Sequence, residues 1–389
     1  MSFFQPLAQQ PADALLALIG MFRNDPRPGK IDLGVGVFRD DAGHTPVMRS
    51  VKAAERKLWE SQDSKSYLGP EGNVAFARHM ARLALGDVEL GGRLTGVQTP
   101  GGTGALRLGA ELIAASRPDV TVWVGTPTWP NHPPILAASG LKAQTYKHFD
   151  PASQTLTFDA VMDALNRAQP GDVALLHGCC HNPTGADFSL EQWRAIADTL
   201  STRGILPFLD LAYQGLGLGM EQDAAGVRMV MDACPEAVLA YSCDKNFGVY
   251  RDRVGALFVQ TGSAADTDRV GSNMLALARA NWSMPPDHGG AVIATLMDDA
   301  ALVADWTLEL DNMRDRLLGI RAALAAHGGV LGRVDQQRGM FSLLPLSPDV
   351  VKRLREEHAV YMAGSGRINI AGLSVETAGR FAAALNACL

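Results

Sequence analysis

No apolar stretch in this 389-residue chain approaches the roughly 18 residues needed to cross a bilayer, so a membrane span is not expected. A secretory leader is not expected either. The opening MSFFQPLAQQPADALLALIGMF has no basic stretch ahead of its apolar part and runs on into a helix-like pattern with polar interruptions. Dense Lys/Arg runs are missing and the formal net charge is −6, which argues against a nucleic-acid surface. Paired cysteine spacing is missing too. Cys179, Cys180, Cys234, Cys243 and Cys388 form an odd set with no zinc-type spacing. They fit a reducing compartment, the cytoplasm, better than a disulfide framework. Low-complexity tracts and internal repeats are also absent. What remains is an ordinary globular composition, 47% hydrophobic and 20% charged, on a chain long enough for two domains of about 150 residues or more.

Between about residues 95 and 260, apolar segments alternate with helix-like ones. The candidate strands are VTVWV (120–124), DVALLH (172–177), ILPFLD (205–210), AVLAYS (237–242) and VGALFV (254–259). Runs without strict alternation point to strands covered on both faces, as in an α/β sheet. SLEQWRAIADTLSTRG carries helix start and stop signals in Ser189 and Gly204. Further on, Leu302, Trp306, Leu310, Met313, Leu317, Ile320 and Leu324 recur every three or four residues. They predict one long helix over 298–325 with its apolar face on a core. This helix joins a large domain (46–297) to a smaller one formed by 298–389 with the N-terminal segment 1–45. GMFSLLPL and RINIAG again look strand-like there.

Reactive groups in α/β sheets gather beyond the carboxyl ends of the strands, and the unusual residues of this chain fall at those ends. AVLAYS runs into CDKNFG and so ends at Lys245, a position where a lysine is ordinarily just a solvated charge. ILPFLD ends in Asp210, where an unpaired carboxylate would be costly, with Tyr213 close behind. Asn182 follows the neighbouring strand. PGGTGALRLGAEL (100–112) is a glycine-rich turn opening a helix, a place that favours anions. It is neither a Walker A loop nor a full dinucleotide fingerprint, since Arg107 replaces the third glycine. Arg253 offers a guanidinium suited to phosphate, and Trp129 a flat surface for a ring. Singly, each has a bland reading as packing or surface charge. Together, an amine, a carboxylate, an aromatic face and a phosphate cradle match the needs of pyridoxal 5′-phosphate.

The stretches PGKIDLGVGVFRD, SYLGPEG, TPGGTGALR, PTWPNH, HGCCHNPTG, DLAYQG, KNFGVYRDRVG, RANWSMPP and SGRINIAG occur in an order that resembles the class I aminotransferases of the aspartate and aromatic amino-acid group. The resemblance runs over essentially the whole chain. It implies a fold-type I pyridoxal-phosphate-dependent transferase: a large domain with a mostly parallel sheet sandwiched by helices, plus a smaller α/β domain. It also implies that Lys245 forms the Schiff base, that Asp210 partners the pyridine nitrogen, and that Tyr213 and Asn182 contact the ring hydroxyl beneath a stacked Trp129. Gly102, Thr103, Ser242 and Arg253 would hold the phosphate, with Tyr67 reaching in from the second subunit of a homodimer. Arg367 would clamp the substrate α-carboxylate, assisted by Asn182 and the backbone near Gly36. Arg279, from the partner subunit, would pair with a side-chain carboxylate. His132 and His181 would support these from behind, and no metal is implied.

Three departures from the family pattern stand out. Asp244 precedes the lysine where serine is common, and Trp282 and Met284 replace a frequent tyrosine and asparagine. A larger, more apolar surround for Arg279, with Leu16 and Phe341 adding surface, leans toward aromatic or dual specificity. The alternative is an aspartate aminotransferase proper with little aromatic activity. Decarboxylation or β-elimination on the same cofactor is less consistent with the pair Arg279 and Arg367, which suits two-carboxylate substrates. A non-catalytic binding protein of the same fold is opposed by the intact lysine, aspartate and arginine set.

Overall fold

The computed structural model of the chain describes residues 2–10 and 14–389, with the backbone alone for 14–16. Its centre is a seven-stranded sheet built from Leu94–Pro100 (β1), Thr121–Thr126 (β2), Lys142–Lys147 (β3), Val173–His177 (β4), Leu206–Leu211 (β5), Ala237–Ser242 (β6) and Val254–Gln260 (β7). The strand order is β1-β7-β6-β5-β4-β2-β3. β7 runs antiparallel to both its neighbours, and the other interior pairings are parallel. The sheet is therefore mostly parallel, as the apolar runs predict.

Those runs lack alternation because both faces are covered. Leu175, Phe208, Val238 and Ala240 belong to one core cluster. Their chain neighbours Leu176, Leu209, Leu239 and Tyr241 belong to the other. Successive side chains of a strand point to opposite faces, so each strand feeds two cores. All six residues of β6 are buried. Two strands were not among the candidates, and both lie at sheet edges. KAQTYK (β3) buries only Tyr146, so it shows no apolar run to read.

The segment SLEQWRAIADTLSTRG folds as expected. Ser189 and Gln192 form a reciprocal cap at the start of the helix Leu190–Arg203, and Gly204 ends it in a left-handed conformation with φ 65°. The long helix spans Ala300–Ala325, and the Asp299 side chain accepts from the N–H groups of Ala301 and Leu302. All seven of its predicted apolar positions are buried. Arg321 on the same helix is buried as well, which no apolar pattern could announce. Its guanidinium donates to the carbonyls of Val334, Gly339 and Phe341 and to the Ser342 hydroxyl. Burial pushes its pKa down to about 9. Through these bonds the helix holds the strand Phe341–Leu343, which pairs antiparallel with Arg367–Asn369. The N-terminal segment meets the C-terminal one where Ile31 and Asp32 pair in parallel with Val360 and Tyr361. No helix among the described residues is long and apolar enough to cross a membrane.

Candidate active site

The five parallel strands β2 to β6 deliver their carboxyl ends to one edge of the sheet. The register sets His177 beside Asp210 on β4 and β5, and β6 ends at Ser242, paired with Gly255 of β7. Beyond this edge lies a cavity of about 240 Å³. Ten of the candidate residues border it: Lys245, Asp210 and Tyr213 from the strand ends, Asn182 and Trp129 from the neighbouring loops, Gly102 and Thr103 from the helix start, and Ser242, Arg253 and Gly36 around the rim. A larger groove of about 520 Å³ opens at the opposite edge of the sheet. Its lining is largely aliphatic, so it assembles no comparable set.

Lys245 is half-buried in the turn after β6, with Nζ 5.3 Å from the centre of the Tyr213 ring. Burial lowers the pKa of its amine, although Asp244 and Asp210 act in the opposite sense. Asp210 is buried, and His132 Nε2 lies 3.1 Å from its Oδ2. The carboxylate is the acceptor, so Nε2 carries a proton toward it, and Nδ1 lies 2.8 Å from the Thr128 hydroxyl. Burial raises the Asp210 pKa, but the His132 hydrogen bond and nearby positive charge outweigh it, and the carboxyl lies below its ordinary range. Asn182 donates to the Tyr213 hydroxyl at 3.4 Å. Burial, followed by the Asp210 charge, keeps that hydroxyl protonated well above the usual tyrosine range.

The floor at the other end is made of glycine. The helix Gly101–Ser116 begins directly after β1. A Cβ on Gly102 would sit 2.8 Å from that of Ser242, and one on Gly101, whose φ is +69°, would sit 2.6 Å from a terminal nitrogen of Arg253. Only glycine leaves this corner open. Arg367 stands to the side, its guanidinium 4.6 Å from the centre of the Phe341 ring and bonded to the Gly34 carbonyl at 2.8 Å. Its Nε is buried without a partner among the described residues.

Tyr67 and Arg279 do not reach the cavity of their own chain. Tyr67 is 91% exposed and Arg279 is exposed near the end of the helix Ala264–Trp282. Trp282 packs partly buried against one sheet core, and the Leu16 side chain lies outside the described residues. His181 stands behind the cavity among other histidines rather than at its wall. Two polar wall residues, His177 and Tyr250, escaped the sequence reading. His177 ends β4 just as Asp210 nears the end of β5, so the strand-end signal applied to it equally. Tyr250, whose hydroxyl accepts from the Phe38 N–H at 2.8 Å, gave no signal of its own.

Residues 28–385 match the profile of the class I and II aminotransferases. This chain belongs to that family. A tyrosine aminotransferase of Rhizobium meliloti (strain 1021) is 53% identical over 386 residues, covering 97% of this chain and 99% of the relative. An aspartate aminotransferase of Escherichia coli (strain K12) is 43% identical over 380 residues, covering 95% and 96%. The crystal structure of an aromatic-amino-acid aminotransferase from Burkholderia pseudomallei, covalently bound to pyridoxal phosphate, superimposes with a TM-score of 0.97 at 37% identity over 100% of both chains. The family depends on pyridoxal phosphate, and the cavity of this aminotransferase fits that cofactor on its own chemistry. The glycine corner beside Arg253 and Ser242 leaves room for a phosphate. The ionised Asp210 lies on the same cavity as the Lys245 amine. Asn182 Oδ1 is buried without a partner among the described residues, as expected of a group waiting for a ligand.

Proposed function

We propose that this aminotransferase moves the amino group between an aromatic or acidic L-amino acid and a 2-oxo acid such as 2-oxoglutarate, in two half-reactions, as a homodimer with shared active sites. The observation that carries this reading is the joint placement of Lys245, the Asp210–His132 pair and Arg253 on one cavity, with Arg367 alongside.

Bound there, pyridoxal 5′-phosphate supplies an aldehyde for the amino group and a ring that accepts an electron pair from the substrate carbon. The protein's part is positioning and proton movement. Gly102 and Thr103 at the helix start, Ser242 and Arg253 would hold the phosphate. Trp129 would cover one face of the ring, and Tyr213 and Asn182 would bind its hydroxyl. Asp210, kept ionised by His132, would hold a proton on the pyridine nitrogen. The Lys245 amine would hold the cofactor and would take the proton from the substrate Cα. Its burial-lowered pKa increases the neutral fraction available as a base. Arg367, with Asn182 and the backbone near Gly36, would hold the α-carboxylate. Tyr67 would reach the phosphate, and Arg279 a second carboxylate, from the partner subunit; their exposure in a single chain supports that role. We also assign the chain a large domain (46–297) and a small one (1–45 with 298–389). The five buried, unpaired cysteines support a cytoplasmic setting.

Specificity is tested at Arg279. Removing one partner of a buried charge pair costs about 3–5 kcal/mol, and a decade of rate is about 1.4 kcal/mol. Arg279→Leu should therefore lower kcat/KM for aspartate and glutamate by about two decades or more, while tyrosine and phenylalanine lose much less. The ratio is read from half-reactions with each amino acid alone. Equal losses would make Arg279 a general structural residue. Undetectable aromatic activity in the wild type would favour the aspartate-only alternative, which the 43% identity to an aspartate aminotransferase keeps open.

A further inference from the structure

Asp244 lies between Ser242 and Lys245, and its surroundings are unusual for a carboxylate. It is 4% exposed. Oδ2 accepts from the Arg253 guanidinium, whereas Oδ1 is buried with no partner among the described residues. The guanidinium nitrogen that meets Asp244 also donates to the Tyr250 carbonyl at 3.0 Å. Two acceptors thus hold one end of Arg253. Its other terminal nitrogen faces Gly101, where an added Cβ would lie 2.6 Å away, at the start of the helix that carries Gly102 and Thr103. Arg253 therefore bridges a buried carboxylate and the corner assigned to the phosphate.

We propose that Asp244 is a positioning residue with two opposed effects: it aims Arg253 at the phosphate corner, and its own charge loosens the hold on the phosphate, so that the cofactor exchanges more readily than it would beside an uncharged residue. This rests on the reading of the cavity as the pyridoxal-phosphate site. The pair Asp244 and Arg253 sums to zero charge, so the corner offers a phosphate backbone N–H groups, a hydroxyl and a helix end without net positive charge. A phosphate carries about −1.5 to −2 near neutral pH. In a partly enclosed site the repulsion from a carboxylate is stronger than it would be in water. The Arg253 side chain is 41% exposed, and the resulting screening limits the effect.

An asparagine at 244 separates the two effects. Its amide oxygen still accepts from Arg253, and its charge is gone. Apoenzyme of the full chain is titrated with pyridoxal 5′-phosphate and with pyridoxal, which lacks the phosphate, by quenching of tryptophan emission; release from the holoenzyme is timed against a trap. Asp244→Asn should lower the Kd for pyridoxal 5′-phosphate about tenfold, mainly through slower release, while Kd for pyridoxal stays within about twofold. Asp244→Ala loses the aim as well and should tighten less than Asp244→Asn. If the asparagine variant does not fold, Asp244→Ser, also uncharged, carries the same expectation of tighter phosphate-dependent binding. Unchanged or weaker binding of pyridoxal 5′-phosphate by the uncharged variants would overturn the proposal, as would an equal gain for pyridoxal. A wild-type chain that binds no pyridoxal 5′-phosphate would instead overturn the site reading beneath it.

Discussion

Lys245 and Asp210 do opposite things with burial. Burial pushes the Lys245 amine toward its neutral form, whereas the His132 hydrogen bond holds Asp210 in its charged form against burial. On the proposed reading one would serve as a base and the other as a fixed counter-charge. Lys245→Ala should abolish turnover while leaving the fold and some cofactor binding, because on that reading the phosphate and ring contacts would come from other residues. Borohydride reduction of the native holoenzyme followed by peptide mapping should find the cofactor on Lys245, and a label on any other lysine would sink the assignment. Asp210→Ala should keep its cofactor but lose at least about a hundredfold in kcat, since nothing then holds the proton on the pyridine nitrogen. Near-normal turnover in that variant would leave Asp210 a structural role only.

The ends of β3, β4 and β5 carry more than the cavity wall. His148, just beyond β3, stacks on His181 with ring centres 4.2 Å apart; His181 lies 4.1 Å from His177, and His177 lies 5.0 Å from His132. Four imidazoles thus run through the protein to Asp210. Burial lowers the pKa of His148 to about 4 and that of His177 to about 3, and it pushes His181 well below its ordinary value. Unfolded histidines titrate near about 6.5, so below that pH the unfolded chain binds more protons than the native one. The stability these groups contribute is complete above about pH 6.5 and is lost as the pH falls, down to about 4 for His148 and about 3 for His177. For His148 the loss at pH 5 is about 2 kcal/mol. Apoenzyme melting points measured from pH 8 to pH 5 should therefore fall, and His148→Phe should flatten the decline. An unchanged slope would show that His148 takes up its proton in the native state. Across the molecule, Arg321 works at the same scale. It ties the long helix to Phe341, whose ring carries Arg367 on one contact and meets Tyr213, 6.0 Å between ring centres, on another.

At the scale of the whole molecule the site of one chain is incomplete on the proposed reading, because Tyr67 and Arg279 face outward. Mixed chains test this directly. A heterodimer of Lys245→Ala with Arg279→Ala contains one site with both residues intact and one with neither. Mixing the two proteins, each with little or no activity toward dicarboxylates, should recover dicarboxylate activity in the heterodimer fraction, and no recovery after verified subunit exchange would count against shared sites.

The chain order of strands and helices was readable because periodicity is local. Runs such as AVLAYS report burial on two faces without reference to the partners that supply it, and Ser189 and Gly204 mark helix ends by their own backbone chemistry. That Asp210, Asn182 and Lys245 line one cavity was readable for a related reason: in a parallel sheet the carboxyl ends share an edge, so these residues had to converge once the strands were recognised. Other features depended on tertiary structure alone. The antiparallel direction of β7 and the edge strand KAQTYK follow from pairing rather than from composition. That Arg321 is a buried hub, that His148 joins three other imidazoles, and that Asp244 turns its carboxylate onto Arg253 all follow from contacts between segments distant in sequence or from the shape of a turn. A charged or polar side chain carries no local sign of whether its partner will be water or another buried group, and only the folded chain decides which.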